Sequence, residues 1–191
     1  MGELFGGLQL RVAEPADADA IQALMTASVR AIFPAFYDAV QTASSVRHIG
    51  VLDRTLIEDG TYFVVVAPDG ALAACGGWSR RDKLFNGAAV TGVEARLLDP
   101  ATEPARVRAM FVSGEWTRRG LGTRILEACE DAARAEGFTH LALMATMPGV
   151  PLYRSWGFGG EQPQDLVMPD GVVVPGVAMS RAITSGQSTS H

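Results

Sequence analysis

The sequence predicts one α/β domain on a single mixed sheet. Three observations carry that expectation. Ala105–Val112 alternates, with Ala105, Val107, Ala109 and Phe111 on one side and Arg106, Arg108, Met110 and Val112 on the other, which is the period of a strand. An amphipathic helix and a second apolar run, Thr139–Ala145, follow it, and strand, crossover helix, strand makes a right-handed unit with parallel strands. A hairpin precedes it: the β-rich run Thr61–Ala67, the turn Pro68-Asp69-Gly70 and a returning strand, Ala71–Arg80. The 191 residues fit one domain, 1–183, with a polar tail at 184–191 expected to be disordered. About six or seven strands and about four helices are expected.

Taken in order, Leu8–Ala13 alternates and reads as the first strand. Glu14-Pro15-Ala16-Asp17 opens a helix, because proline suits a first turn and acids complement the dipole there. Ile21, Leu24, Met25 and Ser28 form its stripe, ending near Phe33-Pro34. Tyr37–His48 and Val51–Glu58 read as two short helices, stopped by Gly60. Residues 81–104 read as a long loop, a length that tends to be functional. Leu121, Ile125, Leu126, Cys129, Ala132 and Ala133 mark the buried face of a helix over Arg118–Glu136, with Gly137 as its stop and Glu130 paired to Arg134. Gly149–Trp156 is a short helix. Phe158–Val167 and Val172–Met179 close the sheet as a hairpin across Pro169-Asp170-Gly171, and an edge strand near Val172–Met179 offers a pairing surface for a homodimer.

The stretch Arg118-Arg119-Gly120-Leu121-Gly122-Thr123 carries the chemistry. Two glycines weaken a helix by about 1 kcal/mol each, and here they stand where its first N–H groups are free. Close backbone approach to an anion, most often phosphate, is the physical reason to tolerate that cost. The P-loop pattern is absent, and the dinucleotide pattern fails because Ile125 stands where its third glycine belongs.

Composition narrows the partners. The net charge is −5 and Lys83 is the single lysine among 16 basic residues, without a basic run, which argues against nucleic acid. An acidic chain mildly favours a cationic substrate. No apolar run reaches the ~20 residues of a membrane span, and the N-terminus lacks the features of a signal peptide. Cys75 and Cys129 share no short spacing and lie in apolar surroundings; with three scattered histidines they form no metal pattern. Small reduced core cysteines and a cytoplasmic location are expected.

Strand, bend, Trp116, then Arg118 to Gly122 and a helix closely resembles the acyl-CoA motif of the GNAT superfamily of N-acyltransferases. Its pattern runs Gln or Arg, two residues, Gly, any residue, Gly or Ala. Thr117 stands at the Gln/Arg position, a departure, with arginines at the next two places. The family's second motif, a short helix carrying Tyr before Gly-Phe, is matched by Pro151 to Phe158, and the element order agrees over roughly Leu8 to Ala182. The resemblance implies acetyl-CoA as cosubstrate and direct acyl transfer to an amine, with no metal. It implies contacts to the cosubstrate from Phe111, Val112, Arg118, Arg119, Gly120, Leu121, Gly122, Thr123, Thr146 and Tyr153. It also implies that the Val112 backbone N–H polarises the thioester carbonyl and that Tyr153 is the general acid. The position where many relatives carry a Glu base is Arg106, and no acid occurs in Ala105–Val112. A base is therefore expected from the 81–104 loop, Glu103 first and Glu94 second, with Asp99, Glu115 or a water chain as alternatives. Two rival readings stay open: a non-catalytic acyl-CoA-binding module of the same fold, and a dinucleotide enzyme using Gly120-Leu121-Gly122.

Overall fold

The structure is a computed structural model that describes residues 2–3, 5–83 and 95–183. One eight-stranded sheet runs in the order β1 (Gly2–Glu3), β2 (Gln9–Val12), β3 (Tyr62–Val66), β4 (Leu72–Ser79), β5 (Ala105–Val112), β6 (His140–Thr146), β8 (Val173–Ala182), β7 (Gly159–Val167). Every pairing is antiparallel except β5 with β6. The strand total is slightly above expectation because β1, two residues long, adds an edge. The other edge is β7, not the Val172–Met179 strand. That strand belongs to β8, which lies between β6 and β7, so the pairing surface proposed for it is already occupied. Pro163, Glu161 and Asp165 on β7 blunt the true edge. The predicted tail at 184–191 lies outside the described residues, as does Glu94.

Two helical layers cover the sheet. On one face α4 (Leu121–Ala135) buries Leu121, Ile125, Leu126, Cys129 and Ala133 against Trp78, Val107 and Leu141. Each fully buried Leu or Ile contributes about 1.5–3 kcal/mol. On the other face α1 (Ala18–Ile32) packs Ile21, Met25 and Val29 with Tyr62, Val64 and Cys75. A short 3₁₀ turn, Pro15–Asp17, leads into α1, where Asp17 accepts two bonds from Arg11 (2.7 and 2.8 Å). The chain then forms α2 (Ala39–His48), opened by a capping box of Asp38 and Gln41, and α3 (Thr55–Glu58). The α4 helix begins at Leu121 rather than Arg118. Arg118 (φ 59°) and Gly120 (φ 77°) are left-handed, so both belong to the turn.

The alternation expected through all of Ala105–Val112 breaks midway. Ala105 and Val107 face the α4 core, while Ala109 and Phe111 face the α1 core. The cause is a β-bulge. Arg108 pairs with Gly77 and Phe111 with Cys75, so Ala109 and Met110 together oppose Gly76. Ala109 takes φ 52°, which costs a non-glycine residue about 1–2 kcal/mol. Gly76 is what makes room: a Cβ there would lie 2.2 Å from Met110 Sδ and 3.2 Å from Met110 Cα.

Candidate active site

Past Arg106, ahead of the bulge, β5 leaves β6. The parallel pair holds register only at Ala105–Leu141 and Arg106–Ala142. The gap between the diverging strands becomes a cleft of about 870 Å³, floored by β5 from Val107 to Val112 and flanked by the α4 N-terminus and by α5 (Val150–Ser155).

One wall is electrostatic. No acidic residue stands in the first turn of α4 and no side chain caps it. The first bond back along the helix is from Arg124 N–H to the Gly120 carbonyl (3.1 Å), so the N–H groups of Leu121, Gly122 and Thr123 are free of helical partners. Arg118, Gly120, Leu121, Gly122 and Thr123 all line the cleft. Arg119 does not; its guanidinium lies 4.8 Å over the Trp116 ring. The two glycines differ in function. Gly120 has open space around it and is required by its positive φ, whereas a Cβ on Gly122 would stand 2.8 Å from Leu152 Cδ2. Gly122 therefore lets α5 approach α4.

The floor presents a backbone donor. Ser113 N–H donates to the Ala73 carbonyl (2.9 Å). By the alternation of an antiparallel ladder the preceding N–H, of Val112, points to the opposite edge of β5, toward the gap left by β6. Phe111, Val112 and Thr146 all line the cleft.

Tyr153 closes the far wall from α5. It is buried, stacked edge-on against Phe158 (5.8 Å between centroids). Burial pushes its phenol pKa well up, so the hydroxyl stays protonated at neutral pH. That hydroxyl has no hydrogen-bond partner among the described residues, and it is not sealed from the cleft. Two contacts place α5. Trp156 Nε1 donates to the buried Glu130 carboxylate (3.1 Å), and Tyr37 on the opposite layer accepts from Met147 N–H (2.7 Å) while donating to the Pro175 carbonyl (2.8 Å). Tyr37 and Trp78 are thereby core residues, whereas Phe33 and Phe36 line the cleft.

The acids expected as base are not brought to this cleft. Glu103 precedes the N-terminal end of β5, on the order of 25 Å along the strand from Val112. It accepts a bidentate bond from Arg96 and a bond from the Asp99 N–H, which hold its carboxyl down to about 2. Arg106 does not need it, because it bonds to Asp82 at 3.0 Å. Asp99 caps its own turn, to Ala101 N–H and Thr102 Oγ1. Glu115 is exposed. Among the described residues, none that lines the cleft is Asp or Glu. The rest of the lining is largely apolar, with Ile32, Phe33, Phe36, Ile49, Met144 and Leu166 beside Ser28 and the buried Arg108. Among the described residues no group of three His, Cys, Asp or Glu could hold a metal, and no described helix is long and apolar enough to cross a membrane.

Arg108 lines the cleft although its place in the strand pattern carries no sign of it. Its guanidinium bonds to Asp53 (3.0 Å), which also takes Lys83 (2.8 Å). Burial alone would raise the Asp53 carboxyl, but the two cations outweigh it and bring it down to about 2. The depressed value means that the folded state favours the carboxylate. The resulting stability, about 1 kcal/mol after allowance for solvent screening, is present above the unfolded value near pH 4 and is lost as pH falls toward 2. Chemical denaturation between about pH 5 and pH 2 should show this loss, and Asp53→Asn should flatten that limb and lower stability at pH 7. An unchanged limb would mean that Asp53 is not coupled to folding.

Residues 26–158, more than half of the chain, match the model of the acetyltransferase (GNAT) family. No curated protein matches the sequence. Among solved structures, the chain is similar to a GCN5-related N-acetyltransferase of Rhodopseudomonas palustris, at 17% identity over 95% of this chain and 99% of that one, with TM-score 0.69. It is similar to the PaiA N-acetyltransferase of Thermoplasma acidophilum, solved in complex with coenzyme A, at 12% identity over 92% and 98%, with TM-score 0.62. The ribosomal-protein-S18-alanine N-acetyltransferase of Escherichia coli shares 17% identity over 96% and 99%, with TM-score 0.55. At such identities the likeness is one of fold.

Proposed function

We propose, on the premise that the chain belongs to the acetyltransferase (GNAT) family, that it moves an acetyl group from acetyl-CoA directly to a primary amine. Acyl transfer from acetyl-CoA is the family's general chemistry; the acceptor and the residue roles are our reading. The observation that carries it is one cleft joining three features: a free helix N-terminus, the Val112 edge of a strand parted from its neighbour, and a protonated tyrosine. The Thermoplasma acidophilum relative was solved in complex with coenzyme A, which supports coenzyme A chemistry on this fold.

In this mechanism the pyrophosphate sits on the backbone of Arg118 to Thr123, where N–H donors and the helix dipole favour negative charge. The thioester carbonyl accepts from the Val112 N–H, and a preorganised donor of this kind contributes about 10²–10³ in rate. The amine lone pair attacks the carbonyl carbon, the C–S bond breaks, and the thiolate takes the Tyr153 proton. The amine proton leaves through water, and the apolar lining, read as the acceptor end, favours a neutral amine on an apolar body. The mild expectation of a cationic substrate, drawn from net charge, does not carry over to this end of the cleft.

Thiol release from acetyl-CoA across a panel of amines tests the reading. Release is expected to be fastest with arylalkyl and branched alkyl amines and slow with polyamines. The ascending pH limb should track each amine's own pKa and persist in Glu103→Gln. Acetyl-CoA binding without release for any amine would favour a non-catalytic module instead. Binding of NAD in place of acetyl-CoA would favour the dinucleotide reading.

A further inference from the structure

Tyr62 is fully buried on β3, two strands away from the thioester site, yet its hydroxyl donates to the Ala109 carbonyl at 2.7 Å. The ring reaches β5 by crossing β4 at Gly77. A Cβ on Gly77 would lie 2.7 Å from Tyr62 Cδ2 and 2.4 Å from the Thr61 carbonyl, so only a glycine leaves that path open. Gly76, next to it, leaves room for Met110 of the bulge. The bulge thus has one hydroxyl bound to its strained residue and two glycines clearing its surroundings. An alanine with positive φ persists only where its surroundings fix it.

The register shows what this arrangement does. Arg108 stands opposite Gly77. Without the extra residue, Val112 would stand opposite Ala73 and would donate to its carbonyl. With the bulge, Ser113 takes that place and the Val112 N–H turns away from β4. The bulge, not the strand end, decides which amide faces the gap.

Resting on the role given above to that amide, we propose that Tyr62 is a positioning residue for acyl transfer: its hydroxyl holds the Ala109 bulge in the form that aims the Val112 N–H at the thioester carbonyl. Tyr62 touches no substrate; it acts through the Ala109 carbonyl.

The experiment is difference infrared spectroscopy of acetyl-CoA carrying ¹³C at the thioester carbonyl, bound to the parent, to Tyr62→Phe, and to Tyr62→Phe with Ala109→Gly. A hydrogen bond from Val112 lowers the carbonyl frequency in the parent. Tyr62→Phe keeps the ring and its packing. It is expected to bind acetyl-CoA within about twofold of the parent by calorimetry, because the pyrophosphate grip is remote, and to lose about half or more of the lowering. Glycine at 109 adopts positive φ without strain and is expected to restore part of it. Full lowering in Tyr62→Phe overturns the proposal. Loss with no restoration by Ala109→Gly also overturns it, since the hydroxyl would then act other than through the bulge. A parent with tight binding but no lowering removes the role of Val112 itself, and the proposal with it.

Discussion

A Tyr153→Phe variant is expected to bind acetyl-CoA as the parent does and to turn it over about 10²–10⁴-fold more slowly. The Phe158 contact uses the ring, which the substitution keeps, and the hydroxyl bonds to none of the described residues, so folding loses no partner. What disappears is the proton that the departing thiolate takes. Burial raises the phenol pKa and keeps that proton in place across the neutral range. Steady-state kinetics and calorimetry on the same preparation test this. Lower kcat with an unchanged dissociation constant identifies a group needed only in the transition state. A variant that turns over at the parent rate would make Tyr153 a packing residue and send the search for the acid elsewhere in the cleft.

Substitutions at the two motif glycines should separate into different defects. Gly120→Val forces a branched residue to φ 77°, where strain is about 1–2 kcal/mol. The turn relaxes away from the form that presents its amides, and the acetyl-CoA dissociation constant is expected to rise about tenfold or more, since 1.4 kcal/mol is a factor of ten. Gly122→Val meets Leu152 instead. A single Cβ would already stand 2.8 Å from the flexible end of that side chain, and two further methyls push on α5 itself. Overpacking of this kind costs about 1–3 kcal/mol. Because α5 carries Tyr153, Gly122→Val should reduce kcat more than affinity, and Gly122→Ala should be mild because Leu152 can give. Titration calorimetry beside turnover measures both. A folded Gly120→Val variant with unchanged affinity would remove the pyrophosphate from this turn.

By itself the sequence determined what short-range patterning can specify. The stripe from Leu121 to Ala133 defined a helix and its buried face, because 3.6-residue periodicity is a property of neighbours along the chain. The turns at Pro68-Asp69-Gly70 and Pro169-Asp170-Gly171 defined two hairpins through their own φ preferences. The parallel unit β5-α4-β6 followed from order and handedness. The glycines before α4 marked a free helix N-terminus, and the family resemblance supplied the ligand expected there.

Tertiary structure decided what depends on where the chain returns. The bulge at Ala109 follows from no pattern within Ala105–Val112; it lies opposite Gly76, one strand away, and takes a bond from Tyr62, two strands away. Paired glycines inside a strand, Gly76-Gly77, were its one local trace, since they mark a bulge or a close approach. Arg108 bonds to Asp53, 55 residues earlier, and no spacing rule links them. Glu103 lay next to β5 in sequence but was captured by Arg96, because a nearby guanidinium and a free N–H outbid a strand residue whose own partner is Asp82. Gly122 has a packing reason that its motif does not reveal: α5 lies against it, where a Cβ would meet Leu152. Periodicity records each residue's own backbone preference, whereas the cleft is made where two strands part, and only long-range contacts set that distance.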